Sequence, residues 1–181
     1  MVPAPAAPAM ARPGPDHFWM ARLLRRAERL GDEGEIPVAA VVLDESGRAI
    51  GWGVNRRERD HDPLGHAELQ ALSQAARLRQ DWRFNGCSLL VTLEPCPMCA
   101  GALIQARMGR VVFGASDPKR GALGGCLNLA SDPSAHHPMV VVGGIEARAA
   151  KEQLERWFRR RRQQPRPKPG FGRPAAPAPT G

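Results

Sequence analysis

Apolar residues recur at helical spacing from Phe18 onward. Phe18, Trp19, Ala21, Leu23, Leu24, Ala27 and Leu30 fall on one side of a 3.6-residue repeat, with arginines between them. Asp16 can cap the start of this helix, and Gly31 and Gly34 end it. The period then changes. Pro37 to Leu43 is an apolar, Val-rich run, Asp44-Glu45-Ser46-Gly47 reads as a turn, and Arg48 to Asn55 follows as a second strand. The pair predicts an antiparallel hairpin. Residues 56–65 are polar and contain Pro63, which predicts a loop. A second helix opens at His66 and carries Leu69, Leu72, Ala75, Ala76 and Leu78.

Asn85-Gly86 marks a turn, and Cys87 to Leu93 has the composition of a buried strand. Pro97 suits the first position of a helix, where its missing N–H is not needed, and that helix extends to about Met108. Arg110 to Gly114 predicts a fourth strand and Met139 to Val142 a fifth, with a loop-rich stretch and a short helix near Leu127 between them. A last helix covers Glu146 to about Arg162, with Leu154, Trp157 and Phe158 as its apolar side. Strands separated by helices after an opening hairpin define the α/β class: a mixed five-stranded sheet sandwiched by helices on both faces.

Composition narrows the class further. A chain of 181 residues suits one domain, and its 43% apolar and 24% charged residues are ordinary for a globular protein. The apolar runs are far shorter than the ~20 residues a membrane span needs. Residues 1–15 hold five prolines and no continuous apolar stretch, so we expect disorder there and no secretory signal. The same holds for the Pro/Arg-rich residues 165–181, which leaves residues 16–164 as the folded domain of a cytoplasmic protein with no membrane partner. Of the net charge of +8, all is accounted for from Arg156 onward, where eight basic residues meet no acid. The remainder counts to neutrality. A basic end on a neutral body either serves as a solvated, solubilising tail or meets a polyanionic partner, nucleic acid first.

The four cysteines are Cys87, Cys96, Cys99 and Cys126. Only Cys96 and Cys99 form a CxxC, a spacing that serves metal or redox chemistry rather than a disulfide framework. Residues three apart share a helix face, and the free N–H groups of a helix N-terminus favour thiolates. His66, opening the other helix, offers an imidazole. Two thiolates and an imidazole suit tetrahedral Zn²⁺ and leave its fourth position for water. Glu68, two residues beyond the histidine, then has a better use as proton carrier than as ligand, taking a proton from water and passing it to a departing amine. A lone CxxC could equally be a redox pair, and the zinc could be structural. The combination of His-x-Glu opening one helix and Pro-Cys-x-x-Cys opening another about 30 residues on is the signature of zinc deaminases of nucleobases.

The stretch Thr92-Leu-Glu-Pro-Cys-Pro-Met-Cys-Ala-Gly-Ala-Leu-Ile-Gln-Ala-Arg107 resembles the cytidine deaminase-like superfamily and, within it, the bacterial tRNA-specific adenosine deaminase family. Glu35-Ile-Pro-Val38, Asn55-Arg56, His61-Asp-Pro63 and Arg110-Val-Val-Phe-Gly-Ala-Ser-Asp-Pro-Lys119 support it, as does the helix ending Trp157-Phe158-Arg159. The resemblance runs from about Asp16 to Gln163, with departures at Ala39, Leu64-Gly65 and His136-His137. It implies a three-layer αβα fold and a zinc-dependent hydrolase that converts adenosine to inosine at the first anticodon position of tRNA, releasing ammonia. It also implies a homodimer with one zinc per subunit, held by His66, Cys96 and Cys99. The partner is a tRNA anticodon stem-loop whose target base flips into the pocket. By the same resemblance Glu68 is catalytic, Asn55 contacts the base, Val38 and Leu93 line the pocket, and Asp117 lies near the sugar. The alternative is a guanine or other free base or nucleoside deaminase using the same four residues. A third reading is a non-enzymatic nucleic-acid-binding protein with structural zinc.

Overall fold

The computed structural model describes residues 14–164, so most of both expected disordered termini lie outside the described residues. The order of elements is α1 (Pro15–Asp32), β1 (Ala39–Leu43), β2 (Ala49–Val54), α2 (Arg57–Asp60), α3 (Ala67–Arg79), β3 (Ser88–Leu93), α4 (Pro97–Gln105), β4 (Arg110–Ala115), a 3₁₀ turn (Leu129–Ser131), β5 (Val140–Gly143) and α5 (Ala147–Gln163). The sheet order is β2-β1-β3-β4-β5. β1 runs antiparallel to both β2 and β3, whereas β3, β4 and β5 are parallel. The sheet is therefore mixed and five-stranded, as the periodicity predicts. Parallel neighbours need crossovers: α4 makes the one from β3 to β4, and residues 116–139, with the 3₁₀ turn, make the one from β4 to β5.

Alternate residues of each strand serve the two faces. Ala40, Val42, Leu89, Val91, Val111 and Phe113 pack with α3 and α4, while Ala39, Val41, Leu43, Leu90 and Val112 pack with Met20, Leu23 and Ala27 of α1. α5 lies beside α1, its Ala150 set against Gly114 of β4 and its Trp157 indole donating to the Gly31 carbonyl at 3.1 Å.

Several expectations are corrected. Gly14, not Asp16, is the N-cap of α1, and Pro15 is already helical. Pro at the first position sets φ and lacks only an N–H that would have no partner there. The Asp16 carboxylate is taken instead by Arg110 of β4, in a two-pronged pair at 2.9 and 2.6 Å. The loop at 56–65 holds the single-turn α2, and the short helix near Leu127 forms later, at Leu129–Ser131.

α3 buries Ala67, Glu68, Ala71 and Ala75 most deeply; of the apolar residues expected on it, Leu72 and Ala76 pack partly buried against the core, and Leu78 is exposed. The reason lies on β2. Gly51 and Gly53 face α3, and a Cβ on either would collide with the carbonyl oxygen of Ala71 or Ala67. Two glycines on the strand and small residues on the helix let the backbones approach closely. That approach sets where the start of α3, and therefore His66 and Glu68, sits.

Candidate active site

The carboxyl ends of β2, β3 and β4 and the beginning of β1 meet at one end of the sheet. Ligands in open α/β sheets bind at such strand ends. A cavity of about 360 Å³ opens there. Its lining includes Val38 before β1, Asn55 after β2, Leu93 closing β3 and Asp117 after β4, together with His66, Glu68 and Cys96. Seven of the eight residues singled out from the sequence thus share one cavity. Cys99 is fully buried just behind it.

Two helix N-termini bring the donor atoms together. His66 is the N-cap of α3 and Cys96 the N-cap of α4, both in extended backbone conformations. Cys99 lies one turn into α4. The His66 Nδ1 is 3.7 Å from the Cys96 sulfur and 3.5 Å from the Cys99 sulfur. All three donor atoms lie within 4.8 Å of one another. One imidazole nitrogen and two sulfurs so disposed fit a tetrahedral zinc ion with a side left open to the cavity.

The electrostatics are those of a cation site. Cys96 is held down to about 3, first by the hydrogen bond from Cys99 and then by its partner His66. Cys99 is pushed well above the usual thiol range, first by its bond to Cys96 and then by burial. His66 is raised above the ordinary histidine value, chiefly by its hydrogen bond with Cys96. Glu68, on the first turn of α3, is only 4% exposed. Burial pushes its carboxyl up to about 7. A carboxyl poised there can both accept and return a proton near neutrality.

Two buried carboxylates that the sequence reading assigned no role build the walls. Glu35 accepts four hydrogen bonds: from the Asn55 side-chain amide at 2.8 Å, Ile36 N–H at 3.0 Å, Glu58 N–H at 3.0 Å and Arg59 N–H at 3.1 Å. It fixes Asn55 and the start of α2 at once. Because a carboxylate only accepts, Asn55 must turn its nitrogen to Glu35. Glu94 accepts from the N–H groups of Asp117 at 2.9 Å, Leu123 at 3.0 Å and Gly125 at 2.8 Å, fastening the loop after β4. Asp117 itself uses one oxygen to accept from Lys119 and Arg120 N–H, at 3.0 and 3.1 Å, so it shapes the turn as well as the cavity wall.

Arg57, Arg120, Lys151 and Phe158 also line the cavity and were not singled out as site residues. Phe158 is 42% exposed, so it belongs to this rim rather than to the apolar side of α5, where Leu154 and Trp157 are buried. Glu35 and Glu94 had a legible signal: each adjoins an apolar run, Glu94 directly after β3 and Glu35 just before Ile36, and an acid buried in such a place needs several partners. Nothing local marks Lys151 or Arg120, since only tertiary packing brings them to the site.

The sequence profile described as the cytidine and deoxycytidylate deaminase zinc-binding region matches residues 14–115, and the chain belongs to that family. Within it, the chain is 40% identical over 147 residues to the tRNA-specific adenosine deaminase of Haemophilus influenzae, covering 79% of this chain and 85% of the relative. It is also 49% identical over 129 residues to the tRNA(Ile)-lysidine synthase of Deinococcus deserti, but spans only 24% of that protein's length. A solved structure from a study of A-to-I editing by tRNA:A34 deaminases at the wobble position of transfer RNA superposes with a TM-score of 0.72 at 35% identity. That superposition covers 75% of this chain and 98% of the other.

Proposed function

We propose that the protein is a zinc-dependent hydrolase that converts adenosine to inosine at the first anticodon position of tRNA and releases ammonia. The observation that carries this reading is a buried carboxyl, Glu68, beside the His66–Cys96–Cys99 cluster in a cavity rimmed by Arg57, Arg120 and Lys151. The cluster and the carboxyl speak for hydrolytic deamination. Arg57, Arg120 and Lys151 at the rim support a base carried on a phosphate backbone, because a free purine brings no phosphate for them to meet. The likeness to the H. influenzae enzyme supports the same substrate. The lysidine synthase name is borne by a protein about four times longer than the shared segment, so it lends no argument for lysidine chemistry.

In this reading His66, Cys96 and Cys99 hold the zinc ion. Zinc bound there supplies Lewis acidity, which lowers the pKa of a coordinated water to about 7. Glu68 passes one proton of the attacking water to the purine ring nitrogen and the second to the leaving amine, so that water is consumed and ammonia released. Asn55, with one amide hydrogen given to Glu35, keeps its oxygen for the base. Val38 and Leu93 press on the ring faces, Asp117 meets the sugar, and Phe158 closes the mouth. In this reading the enzyme meets its tRNA in the cytoplasm, and the family resemblance supports a homodimer.

The test pairs chemistry with metal content. Purified protein should carry about one zinc per chain and form inosine in an anticodon stem-loop with adenosine at the wobble position. Glu68→Ala should keep the zinc and lose turnover by on the order of 10²- to 10⁴-fold. Consumption of free guanine with the stem-loop untouched would overturn the tRNA reading. Zinc binding with no turnover of either substrate would make the metal structural.

A further inference from the structure

The outward face of α1 carries Arg22, Arg25, Arg26 and Arg29, all exposed. Spacings of three, four and seven place them in one stripe roughly 10 Å long. None of the four has an ion-pair partner among the described residues. The acids of α1 are engaged elsewhere: Asp16 with Arg110 at 2.6 Å, Glu28 with Arg156 at 4.0 Å and Asp32 with Arg160 at 3.6 Å. The arginine stripe is therefore uncompensated, although residues 1–155 count to neutrality. Charge is segregated within the folded body as well as at its basic end.

The stripe is also organised. Trp52 of the edge strand β2 lies against Trp19 with ring centroids 5.8 Å apart. The Arg22 guanidinium sits 5.6 Å from the Trp19 ring centre and 6.0 Å from that of Trp52, and Arg26 sits 5.4 Å from Trp52. A guanidinium laid on a ring keeps its N–H edge free for a planar acceptor such as phosphate. Holding it there in advance removes part of the entropy cost of binding. Together Arg22, Arg25, Arg26, Arg29, Glu28 and Trp52 line a cleft of about 420 Å³ that shares no residue with the catalytic cavity.

We propose that this face of α1 is a second RNA-binding surface, which grips the phosphate backbone of the substrate RNA at a distance from the target base. That the ligand is a polyanion follows from the stripe itself; that it is RNA rests on the function proposed above. The competing occupant is an anionic lipid surface, since Phe18 beside the stripe is 51% exposed.

The experiment measures the binding of full-length tRNA across a salt series for the unaltered protein, for Arg22→Ala/Arg25→Ala/Arg26→Ala/Arg29→Ala, and for Arg25→Ala/Arg29→Ala. The last pair touches no ring, so it guards against loss of folding in the fourfold variant. Each phosphate contact contributes about 0.7–0.9 to the slope of log affinity against log salt. The slope should fall by about 3 in the fourfold variant and about 1.5 in the double, while kcat on an anticodon stem-loop at saturation stays unchanged. An unchanged slope overturns the proposal. So does unaltered tRNA binding with lost binding to phosphatidylserine vesicles. If the unaltered protein makes no inosine, the functional reading falls, and the salt slope still decides whether α1 holds RNA.

Discussion

Glu35 offers a demanding test of how the cavity is built. Its carboxylate takes all four hydrogen bonds described above from a site only 4% exposed. Glu35→Gln keeps the shape but replaces one acceptor oxygen with a donor. Whichever way the new amide turns, its nitrogen faces two N–H donors, and at least one of them is left without a partner. Bonds to charged groups are each worth roughly 1.5–3 kcal/mol, so a net loss of about 3 kcal/mol is expected. For a domain of this size that lowers Tm by about 6–12 °C. The second consequence is chemical. With Gln at this position Asn55 can reverse its amide and present nitrogen to the cavity where it had presented oxygen. Loss of one hydrogen bond to the base should cut kcat/KM on the wobble-adenosine stem-loop by about tenfold. The double variant with Asn55→Ala decides the route. If Glu35 acts by orienting Asn55, Glu35→Gln/Asn55→Ala should be no slower than Asn55→Ala alone. Fully additive losses would refute that route and assign the effect to α2, whose N–H groups Glu35 also holds.

Two further perturbations probe the scaffold. Gly53→Ala places a methyl group into the Ala67 carbonyl. It should cost on the order of 3 kcal/mol in urea unfolding and lower zinc content by displacing the start of α3; an unaffected midpoint would mean that helix and strand can separate freely. Asp16→Asn breaks the pair with Arg110, whose hydrogen bond holds the Asp16 carboxyl below its ordinary value. A depressed carboxyl contributes stability above its unfolded pKa and loses it as pH falls through the folded one. The variant should therefore be less stable by about 1–2 kcal/mol at pH 7, with the gap closing as the pH is lowered past the ordinary Asp range. A gap independent of pH would show that the ion pair is not its source.

How far the chain could be read in advance follows from where each constraint resides. Strand and helix periods are local, so all five strands and the four long helices were legible to within a few residues. The zinc-type cluster was legible because its spacing is tied to helix geometry: Cys96 and Cys99 share a face wherever that helix goes, and an N-terminal turn favours their thiolates whatever packs around it. Errors arose where one element dictates the surface of another. The apolar positions of α3 do not show which of them is most deeply buried: Gly51 and Gly53 on the preceding strand select Ala67, Ala71 and Ala75, and leave Leu78 exposed. Asp16 looked like a cap because the residue that claims it, Arg110, is ninety-four positions distant. Glu35 and Glu94 are instructive in a different way. Each is an acid at the margin of an apolar run, where burial without partners would be prohibitive. Such a residue announces from the sequence alone that several donors must converge on it, though not which ones. Here the donors belong to Asn55, to α2 and to the loop after β4, the segments that wall the cavity. The residues that hold this site in shape are thus marked by their chemistry before the fold is known, while the cations at its rim, free to be placed by any exposed position, are not.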